Sequence, residues 1–146
     1  IIDRVDRKAG LIRVLDYKTG TDDKRIASIT ALFDRYTPQR NQAAFQTFFY
    51  AWLFKQCQLA AADKIVPGII STRLSFEANF DTHFSVKQAG TQDYTHIKDI
   101  TPYQSTFETG LRSVLEELLA PTIPFTQTED RTQCTTCPYK GICQRY

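Results

Sequence analysis

The first eighteen residues constrain the chain most: two short alternating segments, Ile1 to Lys8 and Leu11 to Lys18, flank Ala9-Gly10. A two-residue loop there makes them a β-hairpin and sets its register. Lys8 then faces Leu11, Asp6 faces Arg13 and Asp3 faces Asp16; a three-residue loop would shift every pair by one. Period-two alternation places Ile1, Asp3, Val5, Ile12, Val14, Asp16 and Lys18 on one side. That face is largely apolar, yet it ends on two acids and a lysine. Asp6 has a cross-strand partner of opposite charge. Asp3 meets a second carboxylate, which is destabilising unless a positive charge lies between the two or one is protonated.

A divalent cation removes that conflict. Magnesium and manganese prefer hard oxygen ligands, and either ion can activate a water and neutralise charge on a phosphate. Lys18, two residues after Asp16, points the same way. Its ammonium can position the attacking water and stabilise a pentacovalent phosphate. Alone, Asp-x-Lys is weak evidence, because acids and lysines at strand ends are commonly just solvated.

The rest of the chain reads as a mixed α/β domain. With 42% hydrophobic and 23% charged residues it can bury a real core, which excludes a disordered chain. There is no methionine, and Ile1-Ile2-Asp3-Arg4 already resembles mid-strand, so the chain is read as a piece of something longer. The net charge of +2 is too small to diagnose a polyanionic partner. No run approaches a membrane span and none resembles a signal peptide, which points to a soluble, cytoplasmic setting.

Thr37-Pro38 offers an N-cap and a first-turn proline for a helix from about Pro38 to Ala62, with Phe45, Phe48, Phe49, Trp52, Leu53 and Leu59 as its apolar face. Ile65 to Ser75 reads as a strand despite Pro67-Gly68, Thr82 to Val86 as a second, and a short one lies between Ala89 and Asp99. Phe107, Leu111, Val114, Leu115, Leu118 and Leu119 recur at helical spacing, and Pro121 and Pro124 close that helix. His83 and His96 have no partners at ligand spacing along the chain and read as ordinary strand or surface residues.

Three of the four cysteines fall in Cys134-x2-Cys137-x5-Cys143. The spacing suits a metal clip better than a disulfide framework, and Pro138 and Gly141 bend the loop between them. Three thiolates this close can wrap a tetrahedral zinc or three corners of an iron–sulfur cluster, and spacing does not choose between these. Cys57, beside Leu53 and Phe54 in the first helix, reads as a buried, unligated thiol.

Together, "IIDRVD", "VLDYKTG", a helix carrying Gln46-x3-Tyr50 and the terminal Cys-x2-Cys-x5-Cys resemble the RecB/AddB-type nuclease domain of the PD-(D/E)XK superfamily, in matching order over nearly the whole chain. The resemblance implies a restriction-endonuclease-like mixed sheet flanked by helices, with residues 1–125 as nuclease core and 126–146 as a cysteine-rich tail. It also implies that Asp3 and Asp16 bind Mg2+ or Mn2+ and that Lys18 is the catalytic lysine. Gln46 would support Lys18, and Tyr50 would approach the DNA backbone; four residues apart, they share one helical face. Gln42, one turn earlier, competes with Gln46.

For the tail, the resemblance implies a 4Fe-4S cluster held by Cys134, Cys137, Cys143 and a further cysteine ahead of the nuclease core, with zinc as the alternative. Related nucleases also draw an acid or histidine from a helix upstream of the first catalytic strand, so the centre is expected to be incomplete in these residues. The implied activity is a metal-dependent DNA exonuclease acting on single-stranded ends, associated with a helicase domain in double-strand break repair. No Gly-x4-Gly-Lys-Ser/Thr loop marks a helicase here. The competing reading is a catalytically inactive DNA-binding or structural module stabilised by a cysteine-bound metal. A zinc-only adaptor would leave the hairpin acids without a purpose.

Overall fold

The computed structural model describes residues 1–20, 23–36, 40–57 and 64–145. It is a mixed α/β arrangement with two three-stranded sheets and two helices. β1 (Arg4–Lys8) and β2 (Leu11–Lys18) form the antiparallel hairpin. The pairs Lys8·Leu11, Asp6·Arg13 and Arg4·Leu15 are those of the two-residue loop. Ala9 and Gly10 both have positive φ, 50° and 77°, the backbone of a tight primed turn that follows the twist of the strands.

The first helix, α1 (Gln42–Gln56), lies in the crossover from β2 to β4 (Ile65–Ser71), which runs parallel to β2; the sheet order is β1-β2-β4. The second sheet, β3-β5-β6, is small: β3 (Arg25–Ile26) pairs parallel with β5 (Ser85–Lys87), and β5 antiparallel with β6 (Tyr94–His96). The mixed-sheet architecture expected from the sequence is thus present, its strands divided between two sheets. The strand expected to run to Ser75 stops at Ser71, where the chain turns, Leu74 N donating to Ser71 O.

Pro67 and Gly68 are accommodated inside β4 for separate reasons. Ile69 N donates to Thr82 O, away from β2, so two residues earlier the missing N–H of Pro67 also faces away from β2 and costs that ladder nothing. At Gly68 a Cβ would meet Thr82 O at 2.6 Å and Leu15 Cδ2 at 2.9 Å, so the close approach of residues 82 and 83 to β4 requires glycine.

α1 starts later than the proline signal suggests. Arg40 and Asn41 are not helical, Asn41 is the N-cap and accepts from Ala44 N, and Thr37-Pro38 lies outside the described residues, as does Leu59. The stripe pressed on the sheet is Ala44, Thr47, Phe48 and Ala51, all buried at helical spacing, whereas Leu53 is exposed. Small residues let the helix backbone approach the strands while Phe45, Phe49 and Trp52 pack at its flanks. Hydropathy marks the aromatic residues and passes over the alanines, which is why the expected face was misplaced.

The second helix, α2 (Gln104–Leu119), follows a 3₁₀ turn at Thr101–Tyr103. Phe107 is its one fully buried residue, contacting Phe33, Phe45 and Phe48, and such burial contributes about 1.5–3 kcal/mol. Val114, Leu115, Leu118 and Leu119 remain exposed. The tail makes a 3₁₀ turn at Arg131–Cys134 and closes on itself, with Arg145 donating to Gln127 and to the carbonyl of Thr128. No helix among the described residues is long and apolar enough to cross a membrane.

Candidate active site

Strand β2 carries Ile12, Val14 and Asp16 on the buried face that α1 covers, and its last residue, Lys18, lies at the edge of that cover. The end of the strand is pinned from β4: Thr72 N donates to Lys18 O, and Ser71 Oγ donates to Gly20 O. Asp16 is 3% exposed. Burying a charge this deeply is expensive without a partner.

The partner is Lys18, whose Nζ lies 2.8 Å from Asp16 Oδ2. Oδ2 is thus ion-paired, but no donor meets it in hydrogen-bonding geometry among the described residues. Lys18 Nζ donates instead to Gln46 Oε1 at 2.9 Å, and Gln46 Nε2 donates to Tyr50 Oη at 3.0 Å. Asp16, Lys18, Gln46 and Tyr50 thus form one continuous polar chain linking the end of β2 to one face of α1. Gln42 is exposed on the first turn of α1.

Asp3 sits one residue beyond the ladder, and its Oδ2 accepts from Tyr17 N at 3.0 Å. Its carboxylate is exposed and anchored beside the Asp16–Tyr17 peptide. Asp6 is engaged elsewhere: Arg13 Nε and Nη2 each donate to it at 2.7 Å, a two-pronged clamp, and Arg4 Nε adds a third bond. The Arg13 hydrogen bonds hold the Asp6 carboxyl below the usual carboxylate range. Tyr17 is 44% exposed and its hydroxyl accepts from Arg4 Nη1. The sequence pattern did not reveal that contact, since it joins side chains across a strand end.

These donors suit a hard divalent cation. Asp16 Oδ2 is a buried anionic oxygen with a lone pair left unsatisfied, Asp3 is a second carboxylate one pair further along the same hairpin, and both are oxygen ligands.

The cysteines behave differently. All four are free thiols; Cys134, Cys137 and Cys143 are half-buried, and Cys57 is exposed at the end of α1 rather than buried. Cys137 N donates to Cys134 O, so a turn connects the first pair. Among the described residues, the group of three ligating side chains with atoms within 4.8 Å of one another is Asp81, His83 and His96; the tail sulfurs form no such group. The two histidines, read as ordinary residues, are therefore neighbours. A signal was present in the sequence: Asp81-x-His83 aims both side chains to one side of an extended segment.

The model of the PD-(D/E)XK nuclease superfamily matches residues 1–144, nearly the whole chain. The chain belongs to the PD-(D/E)XK nuclease superfamily. No curated protein and no solved structure matches it significantly. The mixed α/β architecture of this PD-(D/E)XK domain is consistent with a restriction-endonuclease-like fold, and membership supports a nuclease, a class that typically uses divalent metals.

Proposed function

We propose that this PD-(D/E)XK domain is a Mg2+- or Mn2+-dependent DNA exonuclease of the RecB/AddB type, acting on single-stranded ends beside a helicase domain during double-strand break repair. The observation that carries the catalytic reading is the buried, hydrogen-bond-orphaned Asp16 Oδ2 held 2.8 Å from Lys18 Nζ. Asp3 and Asp16 are the residues that would hold the cation. A divalent ion bound there supplies Lewis-acid neutralisation of phosphate charge and a water of lowered pKa.

The chain's own residues do the rest. Lys18 places a fixed positive charge beside the scissile phosphate, where negative charge grows as water attacks and the leaving oxygen departs. Gln46 accepts from that ammonium and so restricts where it points. Tyr50 receives its hydrogen bond from Gln46, which leaves its own O–H to donate to a backbone phosphate oxygen. The exposed stripe Val114, Leu115, Leu118 and Leu119 on α2 supports a neighbouring domain packed there. Cys134, Cys137 and Cys143 remain the residues for an iron–sulfur cluster or zinc, with cluster binding requiring the sulfurs to close together.

The test is cleavage of end-labelled single-stranded DNA with MgCl2 or MnCl2, beside Mn2+ binding followed by paramagnetic resonance. Cleavage is expected from the full-length protein, with Asp16→Ala losing both cleavage and tight Mn2+ binding, and Lys18→Ala losing cleavage alone. Native-level cleavage in either variant overturns the site. DNA binding without Mn2+ binding or cleavage favours the inactive DNA-binding module instead.

A further inference from the structure

We propose that Asp81, His83 and His96 form a second metal site, separate from the Asp16 centre, that takes a first-row transition ion of the zinc class. It is assembled from two pieces of chain that contribute nothing to the polar chain at Lys18. Asp81 and His83 lie on the segment docked against β4, where Thr82 O accepts from Ile69 N and His83 bridges Gly68. His96 ends β6. The β5–β6 register pairs His96 with Ser85, two residues after His83, which makes the imidazoles diagonal neighbours on one face. Their rings stack with centroids 5.2 Å apart and planes within 6°.

One carboxylate oxygen of Asp81 is engaged within its own segment, and the other stands at the spacing of two ligands on one ion. Asp81 Oδ1 is occupied by its own segment, accepting from His83 N at 3.1 Å and contacting His83 Nδ1 at 2.5 Å. Oδ2 faces His96 Nε2 at 3.4 Å. That gap is long for a charge-assisted hydrogen bond, but two ligands on one tetrahedral zinc stand about 3.3–3.5 Å apart when each bond is about 2.0–2.2 Å. Ligand atoms of all three residues already lie within 4.8 Å of one another, so closure requires side-chain adjustment alone. Two imidazoles and one carboxylate are borderline donors suited to zinc, where the Asp16 centre offers hard oxygens. The set leaves a fourth position for water.

One nearby cation bears on the site. Lys24 Nζ donates to the backbone carbonyl of Asp81 and lies over the Phe80 ring, so its ammonium is tied to the main chain and not to the carboxylate. A bound ion would cross-link residues 81–83 to β6, joining the three-residue strands of the small sheet to the edge of β4 opposite β2.

His83 and His96 are the chain's two histidines, so imidazole NMR reports on this site alone. Chelator-treated native protein is titrated with ZnCl2 until the thiolates are loaded, and then with one further equivalent. Both rings are expected to move together, with a single midpoint, to metal-bound nitrogen shifts. Asp81→Asn should weaken that step at least about tenfold, and Asp16→Ala should leave it unchanged. Rings that stay at their metal-free positions, that move with separate midpoints, or of which one alone moves, overturn the proposal.

Discussion

Asp16 and Asp81 present the same side chain in opposite circumstances. Asp16 sits on the central strand of its sheet, 3% exposed, facing an ammonium. Asp81 lies on a loop at the margin, its side chain 40% exposed, between two imidazoles. Burial alone would raise the Asp81 carboxyl; hydrogen bonds from the His83 ring and N–H, with the charges of both rings, bring it below the usual range. A buried charge is costly to maintain, and removing its partner leaves an uncompensated ion. The central position would give the proposed chemistry a rigid placement, and the marginal one would give the proposed structural ion a site that costs little to maintain.

The sharpest division between the two is in activity. Asp16→Ala should lower the cleavage rate by about a thousandfold or more and Lys18→Ala by about 10²–10³-fold, whereas Asp81→Ala should change it little; a comparable loss at Asp81 would abolish the distinction. Gln46→Ala acts through Lys18, so a loss of about tenfold, carried by kcat with KM nearly constant, is expected in steady-state kinetics. In thermal melts, Gly68→Ala should destabilise by about 1–3 kcal/mol, because its Cβ would strike the backbone of Thr82 and lift the Asp81–His83 segment from β4. That variant should weaken zinc binding while leaving Mn2+ binding in place.

Asp6 supplies the acid-side contrast. Its folded pKa is depressed by Arg13, so its stabilising contribution is complete above the unfolded pKa and is lost as pH falls through the depressed value. Denaturant titrations in the acid range should show Asp6→Asn flattening that limb. Asp81, whose folded pKa is likewise depressed, has the same sign. The smallest effect is expected at the turn, where Ala9→Asn should stabilise the hairpin by about 0.5–1 kcal/mol, since Ala9 occupies a left-handed conformation that asparagine tolerates better.

The hairpin register, the Asp6–Arg13 pair and the Gln46–Tyr50 face were legible in the sequence because each depends on local periodicity: two residues per strand repeat, a two-residue turn, four residues per helical step. The start of α1 and its alanine stripe were not, because an Asn cap competed with a more conspicuous Thr-Pro and because small residues carry little hydropathy signal. Lys18 on Gln46 is intermediate: each residue was identifiable, but their meeting depends on the crossover that lays α1 over β2 and β4.

By itself, the sequence determined the hairpin, its charged end and the superfamily pattern, since these follow from near neighbours along the chain. Only the tertiary structure decided that Asp16 is buried with an unsatisfied oxygen and that Asp81, His83 and His96 converge. Burial and convergence depend on non-local pairing between strands as short as three residues, whose register is set by what they pack against and not by their own composition.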